Sequence, residues 1–196
     1  MKTLNIEELI SSKNINSNEI INSTVDISKN SILFINNQSL EKLDKLIREA
    51  LEMDVKAIVT KEDCTVSNDK IIKVKNYDEI FKNVLQKICP NYEKRNFYGI
   101  TGTNGKTTTG FYLNQLISSK SLFVGTTEAA LLKKITNEEH LTTPKLFNII
   151  KLLGLKENNN TNDVVIEISS HALEQERLKG LKFKVSGFTN LSQDHF

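Results

Sequence analysis

Apolar residues along this chain fall into two rhythms, short unbroken runs and helical stripes, and the two alternate for most of its length. Ser31 to Ile35 reads as a short buried strand. Leu43, Leu46, Ile47, Ala50 and Leu51 then fall at i, i+3, i+4, i+7 and i+8, one face of a helix, with Ser39 where an N-cap is wanted. Ala57 to Val59 and Ile71 to Val74 read as a second and third strand, and Tyr77 to Ile88 as a second amphipathic helix. Pro90 ends that helix, and the polar run Asn91 to Asn96 reads as a linker. From Phe97 onward the alternation resumes as in a parallel sheet with crossover helices. Phe97, Tyr98 and Ile100 form an apolar, β-prone run. The helix that follows has Phe111, Leu113, Leu116 and Ile117 as its expected apolar side. Ser121 to Val124 is a strand, and Leu146 to Leu153 a helix with Pro144 in its first turn, where a missing N–H costs nothing. Asp163 to Ile168 is almost continuously apolar, as in a strand covered on both faces, and Lys184 to Thr189 is a further strand.

Composition narrows the classes of function. The 196 residues carry 26 Lys+Arg against 24 Asp+Glu, a net charge of +2, so no electrostatic argument points to nucleic acid or an anionic membrane. Arginine stands only at Arg48, Arg95 and Arg177, which makes any arginine at a site more noticeable. Cys64 and Cys89 are too far apart for a metal cluster or redox pair and read as two buried free thiols. Acids interrupt the N-terminal segment where a signal peptide would be apolar, and no run of apolar residues is long enough to cross a membrane. A cytoplasmic location is expected.

The chemistry concentrates in Gly102-Thr103-Asn104-Gly105-Lys106-Thr107-Thr108, set between the Phe97 strand and the next helix. Glycines let the backbone curl so that successive N–H groups form an anion nest, and a helix N-terminus adds its own unpaired N–H groups. Lys106 can reach the β- and γ-phosphates of a nucleotide, and Thr107 can offer its hydroxyl to a phosphate-bound Mg²⁺. The strict P-loop asks for four residues between its glycines; this chain carries the shorter G-x-x-G-K-T form. In a parallel sheet ligands gather beyond the carboxyl ends of the strands. The loop, Gly125-Thr126-Thr127, Glu167-Ile168-Ser169 and Thr189-Asn190 are all expected on that edge. Glu167, closing an apolar run, is well placed to bind Mg²⁺, whereas His171 reads as a packed, hydrogen-bonded histidine. The expected fold class is α/β. A small N-terminal α/β domain over residues 1–95 precedes a P-loop parallel-sheet domain over residues 96–196.

Four segments together carry a family resemblance: GITGTNGKTTT, Thr142-Thr143-Pro144, EISSHALEQERLKGLKF, and FTNLSQDH from Phe188 to His195. They resemble the Mur ligases, over about residues 97 to 196, and within them the branch that forms the muramyl tripeptide. The phosphate loop alone is shared more widely, with folylpolyglutamate and cyanophycin synthetases. The resemblance implies an ATP- and Mg²⁺-dependent amide ligase that adds lysine or meso-diaminopimelate to UDP-N-acetylmuramoyl-L-alanyl-D-glutamate through an acyl phosphate. It implies ATP contacts along Gly102 to Thr108, with Lys106 on the phosphates. Metal ligation would fall to Thr107, Glu167 and His195, with Asp194 beside the histidine. Thr142, Thr143, Ser169, Gln175 and Arg177 match contacts to the UDP-muramoyl-peptide. Ser23 stands near the place of the family's uridine-binding Asp-Ser-Arg segment, which has no clear counterpart here. Neither nucleic acid nor membrane is an expected partner, and a monomer is expected.

Family members continue past Asp-His, with a lysine that becomes carbamylated and a C-terminal domain that selects the amino acid. The chain is therefore expected to be an inactive piece of such an enzyme, truncated on the C-terminal side of its sheet. Two other readings are a neighbouring ligase of the folylpolyglutamate or cyanophycin type and a nucleotide-binding module without catalysis. Protection by UDP-muramoyl-dipeptide rather than folates, and metal-dependent rather than metal-indifferent ATP binding, would separate them.

Overall fold

The computed structural model describes residues 19–36, 39–61, 64–118, 120–128, 132–133, 135–137, 141–158 and 160–192. The chain divides into two compact units, Met1–Lys87 and Ile88–Phe196.

In the first unit β1 (Ile20–Ile21), β2 (Ile32–Phe34), β3 (Ala57–Lys61) and β4 (Ile71–Val74) form a parallel sheet in the order β1-β2-β3-β4. Helix α1 (Leu40–Glu52) lies between β2 and β3 in sequence, and Ser39 caps it by accepting from the Lys42 N–H. Its buried Leu43, Ile47 and Ala50 join Leu33 and Ile58 in one core. Side chains alternate across a strand, so Phe34 leaves by the opposite face. There its ring meets Tyr77 and Phe81 of α2 (Tyr77–Ile88), with centroids 6.4 and 6.0 Å away. The sheet is thus covered on both sides, as its unbroken apolar strands require.

The segment expected as a linker is anchored instead. Tyr92, in a 3₁₀ turn over Tyr92–Lys94, is buried. Arg95 donates to the Asn158 carbonyl (3.1 Å), the Leu153 carbonyl (3.4 Å) and Cys89 Sγ (3.4 Å). These contacts tie Arg95 into the second compact unit, which begins at Ile88. Both cysteines are free and buried, and burial pushes the Cys89 thiol up despite the opposing Arg95 guanidinium.

The second unit contains β5 (Asn96–Thr101), α3 (Lys106–Ile117), β6 (Leu122–Val124), α4 (Leu146–Leu153), β7 (Asp163–Glu167), α5 (Ser170–Glu174) and β8 (Phe183–Phe188). Its sheet is parallel in the order β6-β7-β5-β8. Every residue of α4 is buried, which explains its nearly unbroken apolar sequence. Lys145 is its N-cap, so Pro144 lies just outside the first turn instead of within it.

Helix α3 departs further from its expected face. Leu113 and Ile117 pack against Ile100, Phe123 and Val165, but Phe111 is 47% and Leu116 84% exposed. The contact face passes through Gly110, where a Cβ would lie 2.6 Å from the Phe123 ring. Close approach of helix to sheet at that glycine sets the rotation of α3 and turns Phe111 and Leu116 outward.

Candidate functional site

The sheet registers build the site. β5 is central, and Ile100 pairs with Glu167 of β7 on one side while Thr101 pairs with Phe188 of β8 on the other. The loop leaving β5 therefore runs between the carboxyl ends of two neighbours. Gly102 has φ +132° and Gly105 +82°, both in the region that favours glycine. Gly105 is also the N-cap of α3, and no side chain caps this helix start. Lys106 folds back, its Nζ donating to the Gly102 and Thr103 carbonyls at 2.8 Å each. Thr108 is exposed in the first turn of α3.

Glu167, only 2% exposed, sits beside the loop. The Thr107 hydroxyl donates to its Oε1 at 2.9 Å, and the Thr126 N–H and hydroxyl donate to its Oε2 at 3.0 and 3.1 Å. A Cβ at Gly125 would lie 2.7 Å from that Oε2, so the glycine makes room for the carboxylate. These three donors are all neutral groups. A buried carboxylate held this way is ready for a cation.

No group of three or more His, Cys, Asp or Glu gathers among the described residues. Mg²⁺ does not require one, because it takes one or two protein ligands and fills its shell with phosphate oxygens and water. One carboxylate and one threonine hydroxyl beside a phosphate loop fit that ion. His195 and Asp194, the other expected metal-site residues, lie outside the described residues.

The expected substrate contacts of this unit form one hydrogen-bonded group. Thr143 is fully buried; its hydroxyl lies 2.8 Å from the Glu167 carbonyl and accepts the Ser169 N–H at 2.9 Å. It is an internal brace between the strand end and the start of α5. Ser169 caps α5 by accepting from the Ala172 N–H at 3.2 Å. Arg177 donates to the Thr143 carbonyl and to Gln175 Oε1, both at 2.9 Å. Thr142 is half-buried, its hydroxyl 3.4 Å from that of Thr126. Ser23 belongs to the first unit, where its hydroxyl accepts from the Val25 N–H and caps a 3₁₀ turn. His171, expected to be packed, is exposed on α5.

Residues that sequence reasoning left off the site stand on either side of the loop. Thr126 supplies two of the hydrogen bonds to Glu167. Beyond β8, Asn190 grips the loop: its carbonyl accepts the Thr103 N–H (2.9 Å), its Oδ1 accepts the Asn104 N–H (3.0 Å), and its Nδ2 donates to the Asn104 carbonyl (3.0 Å). The only advance sign was their place at carboxyl ends of parallel strands.

Comparison with known proteins decides the family. Residues 100–196 match the Mur ligase middle domain. The chain belongs to the Mur ligase family. Among its relatives is the UDP-N-acetylmuramoyl-L-alanyl-D-glutamate–2,6-diaminopimelate ligase of Clostridium perfringens, 31% identical over 157 residues, covering 76% of this chain and 32% of the relative. The UDP-N-acetylmuramyl-tripeptide synthetase 2 of Oceanobacillus iheyensis is 40% identical over 101 residues, covering 50% of this chain and 20% of the relative. The Rickettsia conorii diaminopimelate ligase is 28% identical and covers 97% of this chain and 40% of the relative. The chain thus spans about a third of the length of the curated Mur ligases it matches. A solved diaminopimelate ligase shares the fold, with TM-score 0.65 and 23% identity over 99% of this chain and 42% of the other. Among the described residues no helix is long and apolar enough to cross a membrane.

Proposed function

We propose that this chain supplies the nucleotide and magnesium site of an ATP-dependent ligase that joins a third amino acid to UDP-N-acetylmuramoyl-L-alanyl-D-glutamate. The single observation that carries the reading is the Thr107–Glu167 hydrogen bond at the mouth of the phosphate loop. It sets the two protein groups that a phosphate-bound Mg²⁺ needs side by side. The names of the relatives favour this acceptor, and 2,6-diaminopimelate as the incoming amine. A nucleotide-linked substrate and ATP suit a cytoplasmic enzyme.

In the proposed reaction an oxygen of the substrate's glutamate carboxylate attacks the γ-phosphorus of ATP. The bond to the bridging oxygen breaks, and ADP leaves with the electron pair. The amine nitrogen of the third amino acid then attacks the acyl carbon and loses a proton, and inorganic phosphate departs. Little covalent chemistry falls to the protein, so its work is alignment and charge neutralisation. Lys106 would exchange the Gly102 and Thr103 carbonyls for phosphate oxygens. Thr107 and Glu167 would hold Mg²⁺, which when bound neutralises charge on the phosphates. His195 is the proposed further metal ligand. Thr142, Ser169, Gln175 and Arg177 are proposed contacts to the muramoyl-peptide, with Thr143 bracing them from below. Ser23 is the proposed uridine contact.

Ligand protection against thermal unfolding tests the reading. MgATP should raise Tm, and UDP-muramoyl-dipeptide should raise it further, while folate should not. Protection by folate instead would assign a neighbouring ligase. Protection by ATP that is indifferent to Mg²⁺ would assign a binding module and contradict the proposal.

A further inference from the structure

The segment following β8 is hydrogen-bonded to the phosphate loop through Thr189, Asn190 and Ser192. The Thr189 N–H donates to the Thr101 carbonyl at 2.9 Å, and the Thr189 hydroxyl donates to the Asn104 carbonyl at 2.7 Å. Asn190 adds its own carbonyl and both ends of its side-chain amide, as described above. The Ser192 N–H donates to Thr103 Oγ1 at 2.9 Å, and that hydroxyl donates on to the Ser192 carbonyl at 3.0 Å. A second, independent feature makes this closure possible. A Cβ at Gly102 would lie 2.2 Å from Thr189 Oγ1 and 2.9 Å from the Asn190 carbonyl, so the two segments meet where the loop has no side chain.

We propose that Asn190 is a positioning residue for nucleotide binding, the side chain that sets the shape of the phosphate loop from the β8 side. Two consequences follow from its geometry. The N–H groups of Thr103 and Asn104 are already engaged and are withdrawn from the anion nest, which leaves phosphate recognition to the later part of the loop and the uncapped start of α3. The Asn104 N–H and carbonyl, which belong to the two peptide units on either side of its Cα, are both held by a single primary amide, which fixes the backbone through that residue. A loop fixed before the ligand arrives avoids part of the ordering cost of binding. Asn190 touches no phosphate itself; it acts through Thr103 and Asn104. The inference rests on the phosphate-loop reading above, and the experiment below distinguishes failure of one from failure of the other.

The test measures equilibrium affinity for MgATP together with amide hydrogen exchange in the 196-residue chain and its variants. Wild type should bind MgATP and show protected Thr103 and Asn104 amides even without nucleotide. Asn190→Ala should weaken MgATP by about tenfold, as expected for losing two hydrogen bonds, and should expose the Asn104 amide to exchange. Thr189→Val, which removes one loop contact, should weaken binding by about threefold and decides the matter if Asn190→Ala fails to fold. Ser192→Ala should change nothing, because Ser192 meets the loop only through its backbone. Wild-type affinity in a folded Asn190→Ala, or an Asn104 amide still protected in it, would overturn the proposal. Absence of MgATP binding by wild type would overturn the phosphate-loop reading and this inference with it.

Discussion

The two units each contain a parallel four-stranded sheet, yet among the described residues the candidate phosphate and metal groups all lie in the second. In the first unit the strands lie in the order β1-β2-β3-β4, so every crossover moves the chain one place in the same direction. In the second the order is β6-β7-β5-β8: the chain leaves the central β5 for one edge, returns through β7, and passes to β8 on β5's far side. A reversal of this kind opens a crevice at the carboxyl ends of the strands, where ligands collect in such sheets. The phosphate loop leaves β5 there, with Glu167 on one flank and Asn190 on the other. The first sheet has comparable strands and no such reversal. The difference lies in connectivity more than in composition.

The largest effect expected from breaking that contrast is at Lys106. Lys106→Ala removes the ammonium folded onto the loop and should weaken MgATP by about a hundredfold or more, the scale of lost charge-assisted contacts. Titration calorimetry with the two chains side by side would check it. The matching change in the other sheet, Leu33→Ala, should cost about 3 kcal/mol of stability by cavity formation. Leu33 is fully buried in a core that has no part in the loop, so MgATP affinity should stay within about twofold of wild type. Urea unfolding followed by nucleotide titration separates the two outcomes.

Much of this was legible in the sequence because it is local. The glycine-rich turn lies between a β-prone run and a helical stretch, and Glu167 stands at the end of a run that reads as a strand covered on both faces. Helix bounds at Tyr77–Ile88 and Leu146–Leu153 fell where the periodicity placed them. Features made by residues distant in sequence were hidden. The rotation of α3 depends on Gly110 meeting Phe123, the burial of Thr143 on the end of β7, and the loop's shape on Asn190. None of these residues is unusual in its own window. Arg95 illustrates the same limit, since a polar segment looks like a linker until its partners at Leu153 and Asn158 are known.

Smaller perturbations sharpen the comparison within the site. Gly102→Ala forces a side chain into a left-handed backbone and against Thr189, whereas at Gly105 the added Cβ would meet nothing within 4 Å beyond its own chain neighbours. Both substitutions strain the backbone by about 1 kcal/mol, but Gly102→Ala should lose more, measured as a lower Tm and weaker MgATP binding than Gly105→Ala. Thr126→Val removes one hydroxyl from Glu167 while the backbone N–H contact remains. Its effect on MgATP affinity should be about threefold, the worth of a single hydrogen bond.

The central claim is that Glu167 faces the nucleotide's metal. Its most direct test is ATP affinity with and without Mg²⁺ in wild type and in Glu167→Gln, which keeps the side-chain shape and removes the charge. Mg²⁺ should tighten ATP binding by wild type about tenfold or more, and Glu167→Gln should lose most of that gain while its metal-free affinity stays level or improves. An undiminished Mg²⁺ gain in Glu167→Gln would contradict the account.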